Sequence, residues 1–150
     1  MYGRFRHTPG VAGRRLRVLA YVTRERDGVR ELLVFDHRDY PDAGTQVPAG
    51  RLDPGESLEE GLRRELHEEA GLEHLTVLRE LDWPDEFLAD SEYEQHAFEV
   101  RLDAPTADHW EHVVHGNGDD AGLVFLYGWE PVGPALVLWG RGDPLLEQLA

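Results

Sequence analysis

Apolar residues recur along the chain in segments with the length and spacing of β-strands. Some segments run almost continuously apolar, as strands buried on both faces do, and others alternate with period two. The turn Arg26-Asp27-Gly28 separates the first two and is typical of a hairpin. The predicted strands are 16–24, 31–36, 75–83, 92–102, 109–115, 122–132 and a short one at 135–139.

One segment has the helical period instead. Three leucines recur at four-residue spacing and therefore stack on one face: Leu58, Leu62 and Leu66. Ser57 is a suitable N-cap, and Glu60 completes a capping box three residues later. Gly71 suits the left-handed position that ends a helix. The pattern therefore predicts a helix from Leu58 to Ala70.

Prolines and glycines between 48 and 55 indicate a tight loop before this helix. Asp143-Pro144 can start a second, C-terminal helix, with proline in its first turn. Several strands with two helices predict an α/β fold in which helices cover a mixed sheet. With 150 residues, the chain is predicted to be a single domain, 1–150, whose residues 1–15 form a loosely ordered arm.

Three carboxylates of the predicted helix, those of Glu65, Glu68 and Glu69, flank its leucine stripe. A solvated acidic face explains Glu59 and Glu60 but explains these three poorly. Crowded carboxylates repel one another, and burial raises their pKa values. A hard divalent cation such as Mg²⁺ or Mn²⁺ relieves both effects. The pattern favours metal binding over a solvated face.

The net charge of −15 comes from 30 acids and 15 arginines, with no lysine. Such a chain is poorly suited to neutralising the phosphates of a nucleic-acid polymer. The absence of cysteine excludes a disulfide framework and thiol chemistry. No apolar run is long enough to cross a membrane, so we expect no membrane partner and a cytoplasmic location.

The stretch Gly50–Leu72, GRLDPGESLEEGLRRELHEEAGL, has a recognisable spacing of glycines, acids and one arginine. It resembles the signature of the Nudix hydrolase family, G-x5-E-x7-R-E-U-x-E-E-x-G-U, where U is aliphatic, and it matches at every fixed position. The resemblance implies an α/β/α sandwich with a mixed sheet, in which the signature loop and helix present their acids to a cleft.

The resemblance also implies a reaction. It indicates a Nudix pyrophosphohydrolase that uses Mg²⁺ or Mn²⁺ to cleave the diphosphate bond of a nucleoside diphosphate linked to another moiety. A metal-activated water would attack phosphorus. The partner is then a small-molecule nucleotide, and homodimers are frequent in the family.

Residue roles follow from the same resemblance. Glu68 and Glu69 resemble the principal metal ligands, and Glu65 a further ligand or the general base. Glu56 resembles a residue that supports the metal shell. Arg64 is expected to orient a glutamate through a bidentate pair, as part of the catalytic group but without touching substrate.

Further ligands and substrate contacts lie beyond the fixed positions. A backbone carbonyl near Ala49 or Gly50 is expected to contact the metal ion. Acids downstream of the signature could complete the metal shell, with solvated turn acids as the alternative: Asp119, Asp120 and Glu111.

Substrate contacts are less defined by the sequence. The candidates are Arg38, Arg51, Trp83 and Phe87. An arginine of the arm 1–15 could also reach a substrate phosphate. Other aromatic residues could stack on a base or belong to the core: Tyr93, Trp110 and Trp129.

Two other functions fit the resemblance less well. A non-catalytic, nucleotide-binding or regulatory Nudix-like domain would commonly lack one or more signature acids, and none is missing here. An isoprenoid diphosphate isomerase of the same fold would normally need a catalytic cysteine, and the chain has none.

Overall fold

The computed structural model describes residues 15–84, 92–139 and 143–149. In these ranges, two 3₁₀ turns, Pro41–Ala43 and Leu146–Gln148, accompany one α-helix, α1 (Leu58–Ala70). The strands are β1 (Arg15–Arg26), β2 (Val29–His37), β3 (Ala49–Arg51), β4 (Leu75–Leu81), β5 (Tyr93–Leu102), β6 (Trp110–Val113) and β7 (Val124–Pro131). None of the helices in the described ranges has the length and apolar content that crossing a membrane requires.

The strands form one mixed sheet in the order β4-β5-β1-β2-β7-β6, with β3 paired to β1. The pairing of β1 with β5 is parallel, and all the others are antiparallel. One edge of β1 is shared, because Thr23–Arg26 pair with β2 and Arg17–Leu19 pair with β3. The strands β1 and β2 therefore separate on the N-terminal side of Thr23 in β1. Residues 46–51 fill the wedge between them, with Gln46 bridged to Phe35 of β2.

The turn between β1 and β2 is the predicted hairpin. Asp27 and Gly28 both have positive φ, at 52° and 77°, as a type I′ turn requires. Side chains of β1 then alternate between two cores. Val18, Ala20 and Val22 face the core that includes the leucines of α1, whereas Leu19 and Tyr21 face the core that includes the C-terminal leucines. This confirms a sheet buried on both faces.

The helix begins and ends where the sequence predicts. The Ser57 hydroxyl accepts a hydrogen bond from the Glu60 amide at 3.1 Å, and the Glu60 carboxylate accepts one from the Ser57 amide at 2.9 Å. Gly71 has φ of 72° and ends the helix in the left-handed region. Leu58, Leu62 and Leu66 are all buried.

The C-terminal part differs from the prediction. Residues 135–139 do not form a strand, and Asp143-Pro144 lead into the 3₁₀ turn Leu146–Gln148, not an α-helix. A helix of so few residues has little intrinsic stability. The Asp143 carboxylate is instead fixed by the Tyr21 hydroxyl, which donates to it at 2.7 Å. The predicted α/β class, with a mixed sheet and a signature loop-helix, is confirmed. In the described residues, this 3₁₀ segment covers the face of the sheet opposite to α1.

Donors from the sheet satisfy the last carbonyl groups of α1. The Tyr127 hydroxyl donates to the Glu69 carbonyl at 2.9 Å, and the Trp110 indole N–H donates to the Ala70 carbonyl at 3.1 Å. The Glu68 carbonyl lies 2.9 Å from His112 Nε2, which must carry the hydrogen because a carbonyl only accepts. Burial lowers the His112 pKa and so favours the neutral ring. These bonds hold the acidic end of α1 on β6 and β7.

Replacing the buried hydroxyl of Tyr127 should test this attachment. Tyr127→Phe leaves the Glu69 carbonyl without its buried donor, and we expect a loss of about 1–3 kcal/mol in the free energy of unfolding. Urea denaturation followed by circular dichroism measures it. Tyr40→Phe is the matched control, because Tyr40 is 59% exposed. Equal stability of the two variants would contradict an anchoring role for the hydroxyl.

Candidate active site

Arg64 is the centre of the acidic cluster. Its guanidinium makes a bidentate pair with Glu56, at 2.7 Å from Nε and 3.0 Å from Nη2. Its Nη1 donates to Glu65 and to Glu68, both at 2.9 Å, and Nη2 also donates to the Arg51 carbonyl at 2.9 Å. The pairing with Arg64 lowers the Glu56 pKa. One side chain thus connects three acids of the loop and helix to β3.

Glu65 and Glu69 form a pair of carboxyl groups that contact each other. Glu69 is only 5% exposed, and its Oε1 accepts a hydrogen bond from the Ala49 amide at 3.2 Å. Burial and then the charge of Glu65 raise the Glu69 pKa well above its ordinary value. Burial also raises the Glu65 pKa, although Arg64 opposes the change. The two groups therefore titrate as a unit and hold a proton more tightly than exposed carboxyls do.

Two glycines allow the acids to lie against the backbone. A Cβ atom at Gly50 would lie 2.0 Å from Cδ of Glu65, so no larger residue fits without moving that carboxylate. A Cβ atom at Gly116 would lie 2.5 Å from Glu68 Oε1, and the φ of 100° there is also unfavourable for other residues. The first signature glycine is therefore explained by contact with a signature glutamate.

The acids line a cleft of about 790 Å³ between α1, β3, the start of β1 and the loop after β6. Asp119 and Asp120 lie on its loop wall, and Asp119 pairs with Arg51 at 3.3 Å. The charge of Asp120 contributes to the raised pKa of Glu69. The cleft brings together these signature and loop residues: Ala49, Gly50, Arg51, Glu56, Arg64, Glu65, Glu68, Glu69, Asp119 and Asp120.

The model of the NUDIX domain family matches residues 13–130 of the chain. The chain belongs to this family. The resemblance recognised in Gly50–Leu72 is thereby confirmed, and that stretch is the Nudix box of this protein. Among curated protein sequences, none matches the chain.

Solved structures with the same fold include three that are named as hydrolases of nucleotide derivatives. UDP-X diphosphatase superposes with a TM-score of 0.62 at 16% identity, over 94% of this chain and 63% of that chain. An ADP-ribose pyrophosphatase from Streptococcus suis gives 0.58 at 18% identity, over 89% and 87%. The Ap4A hydrolase of C. elegans gives 0.51 at 20% identity, over 79% and 81%. At these identities the likeness establishes the fold, and the chain spans less than two thirds of the UDP-X diphosphatase.

Several predicted contacts lie away from the cleft. Arg38 is exposed and pairs with Asp39 at 3.1 Å, and Glu111 is exposed on β6. Trp83 packs against the core on the C-terminal side of the sheet. Phe87 lies outside the described residues. Of the candidate substrate residues that the structure describes, Arg51 lines the cleft, whereas Arg38 and Trp83 do not.

The cleft also includes residues that the sequence alone did not place there. Arg17 and Leu16 reach it from β1, and His115 from the loop after β6. Tyr93, which the sequence offered as a stacking candidate, lines it from β5. Arg15, assigned to the loosely ordered arm, is the first residue of β1 and lines the same wall. Two candidates for base stacking have other roles: Trp110 donates to the Ala70 carbonyl at the end of α1, and Trp129 belongs to the hydrophobic core. The pairing of β1 with β5 places Arg15 beside Tyr93, and this pairing could not be read from the sequence.

The donor set of the Nudix box suits a hard divalent ion, since it consists of carboxylate and carbonyl oxygens. The buried Glu65–Glu69 pair, with its raised pKa values, is an arrangement that a cation would stabilise. Within the described part of the chain, no three acids or histidines are already arranged around one point as metal ligands. Arg64 occupies oxygens of Glu56, Glu65 and Glu68, so ion binding requires some of these carboxylates to turn.

Removing one member of the buried pair should stabilise the metal-free protein in a pH-dependent way. A raised folded-state pKa gives no penalty below the unfolded pKa, and a growing penalty as the pH rises from there through the folded pKa. In EDTA, Glu69→Gln should therefore raise the melting temperature at about pH 7.5, by about 5 °C, and by much less near pH 4.5.

Differential scanning calorimetry at the two pH values measures the effect. Glu147→Gln is the matched control, because Glu147 is exposed and far from the Nudix box in sequence. A Glu69→Gln protein that is no more stable than wild type at the higher pH would show that the buried pair is not strained.

Proposed function

We propose that this protein hydrolyses the diphosphate bond of a nucleoside diphosphate linked to another moiety, and that it needs a divalent metal ion to do so. The enzyme class, a Nudix pyrophosphohydrolase, rests on membership of the family. The observation that carries the proposal is the complete set of Nudix-box acids lining one cleft, with Glu65 and Glu69 in a buried pair.

The residues that would hold the ion, Mg²⁺ or Mn²⁺, are Glu65, Glu68 and Glu69, with the Ala49 or Gly50 carbonyl as a backbone ligand. Glu56 supports them through Arg64, and Asp119 and Asp120 are candidates for a further ligand. When bound, the ion supplies neutralisation of phosphate charge and acidification of water. Glu111 is the least favoured candidate because it does not line the cleft.

The protein's own groups perform two tasks in the reaction. A carboxylate oxygen of Glu65 or Glu69 that the ion does not occupy can accept the proton of an attacking water. Arg64 keeps its charge at any working pH, because its pairing with Glu56 raises an already high pKa. Arg64 positions the carboxylates and does not itself bind the substrate phosphates, which other cations would bind. We therefore assign proton acceptance to the pair and positioning to Arg64 and Glu56.

The substrate class is a small nucleotide derivative. The structural neighbours named above are a UDP-X diphosphatase, an Ap4A hydrolase and an ADP-ribose pyrophosphatase. In this chain, Arg51 lines the cleft as a candidate phosphate contact, and Tyr93 lines it as a candidate surface for a base. Trp83 and Arg38 lie elsewhere and are not assigned to substrate.

Hydrolysis of a nucleotide panel tests the proposal directly. ATP, UDP-glucose, ADP-ribose and diadenosine tetraphosphate would be incubated with Mg²⁺, Mn²⁺ or EDTA, and products identified by mass. We expect cleavage of at least one class only with metal, and a loss of at least about 100-fold in kcat for Glu69→Gln. Glu147→Gln should keep wild-type activity. Binding of a nucleotide without cleavage would favour a regulatory domain, and metal-independent cleavage would contradict the role of the acids.

A second prediction concerns Gly50, where a methyl group would collide with Glu65. Gly50→Ala should lose at least about tenfold in kcat while still folding. The added methyl group displaces the Glu65 carboxylate, and a small displacement of a catalytic group greatly reduces the rate. Gly133→Ala is the control, since nothing lies within 4 Å of a Cβ there. Steady-state kinetics and melting temperatures of both variants measure the outcome. Wild-type kcat in Gly50→Ala would show that the position of Glu65 is not critical.

A further inference from the structure

Most arginines in the described part of this acidic protein are neutralised by neighbouring carboxylates. In the described ranges, nine arginines have a carboxylate oxygen within 4 Å: Arg24, Arg26, Arg30, Arg38, Arg51, Arg63, Arg64, Arg79 and Arg101. Arg15 and Arg17 are the two that form no ion pair with any described residue. With twice as many acids as arginines in the sequence, an unpaired guanidinium is the exception here.

Both exceptions line the cleft that holds the Nudix-box acids. They lie two residues apart on β1, on the side of the strand that also carries Leu19 and Tyr21 and away from the leucines of α1. Arg17 is half-buried, and its Nη1 donates to Oε1 of Gln95 on the paired strand at 3.5 Å. Gln95 is neutral, so it can orient the guanidinium without cancelling its charge. The wall formed by β1 is therefore cationic.

A second cleft, of about 540 Å³, provides an internal comparison. It also contains three arginines, Arg24, Arg30 and Arg101, but each of them is paired with an acid. Such a cleft has little net attraction for an anion. Unpaired arginines thus belong to the active-site cleft and are not a general property of the concave surfaces in the described part of the molecule.

The acids and the free arginines belong to different walls of the active-site cleft. The acids come from α1 and the loop after β6, whereas Arg15 and Arg17 come from β1. An ion held by the acids neutralises the phosphates that it touches. Guanidinium groups on a separate wall can instead pair with phosphate oxygens that the ion does not reach, and arginine suits such pairing through its planar fork of donors.

We propose that Arg15 and Arg17 bind phosphate groups outside the diphosphate that is cleaved, and that the substrate is therefore a nucleotide with three or more consecutive phosphates. This inference rests on the proposed function of the same cleft. A nucleotide sugar has only the diphosphate that the acid wall engages, so it would leave both guanidinium groups without an anionic partner. A nucleoside triphosphate or a dinucleoside polyphosphate supplies the additional phosphates.

Charge-removing variants on β1 test the inference. Arg15→Gln, Arg17→Gln and the double variant would be compared with Arg26→Gln, which changes an ion-paired arginine of the same strand outside the cleft. Kinetics with ATP, diadenosine tetraphosphate, UDP-glucose and ADP-ribose would be measured at several NaCl concentrations. Calorimetric titration of ATP with Mg²⁺ into each protein would measure binding without turnover.

For the polyphosphate substrates, we expect KM to rise about tenfold per arginine, with kcat changed by less than about threefold. Arg26→Gln should match wild type. The salt dependence of KM should be weaker in the double variant than in wild type, because fewer ion pairs to substrate remain. Melting temperatures should be unchanged, since neither arginine forms an ion pair with a described residue.

The outcomes separate this inference from the proposed function. A wild type that prefers the nucleotide sugars, or β1 variants that behave as Arg26→Gln does, would overturn the inference and leave the enzyme proposal intact. If no panel member is cleaved but ATP binding is lost in the double variant, the arginines bind phosphate and the hydrolase proposal fails. If no member of the panel is either bound or cleaved, both fail.

Discussion

The guanidinium of Arg64 is the contact on which the acidic site depends. It pairs with Glu56, Glu65 and Glu68 and also donates to the Arg51 carbonyl. Without a cation among them, these carboxylates would repel one another, and the loop before α1 would lose its ion pair with the helix. Because arginine stays charged and offers five donors in a plane, it can hold several acids at once. Lysine would supply one point charge instead of a fork.

The sheet fixes where this cluster lies. The divergence of β1 and β2 leaves a wedge that β3 fills, which places the Ala49 amide on Glu69 and Gly50 against Glu65. At the other end of the helix, side chains of β6 and β7 donate to its last carbonyl groups. Both ends of the acidic face are therefore held by the sheet, and a buried carboxyl pair can persist although burial disfavours its charge.

Electrostatics explain how such an acidic protein can accept an anionic substrate. Most described arginines are used in ion pairs with neighbouring acids, so they add little to the field in the cleft. The exceptions, Arg15 and Arg17, lie on the wall of the cleft that the acids leave free. Metal ions would neutralise the acid wall, while β1 provides positive charge of the protein's own. The site can thus bind negative charge on two sides without a positive net charge of the whole molecule.

The sequence alone predicts six of the seven strands of the described sheet, the capped helix α1 and the grouping of Glu56, Arg64 and Glu65–Glu69, because these features depend on local spacing, turn residues and period. It also predicted the hairpin at Asp27-Gly28 from turn geometry alone. Long-range packing was needed to show that the C-terminal segment forms the 3₁₀ turn Leu146–Gln148, that residues 49–51 form a strand, and that Arg15 and Arg17 line the cleft while Arg38 and Glu111 do not. Those outcomes depend on strand pairing between residues far apart in the chain, and a local pattern of hydrophobic and polar residues contains no information about which strands become neighbours.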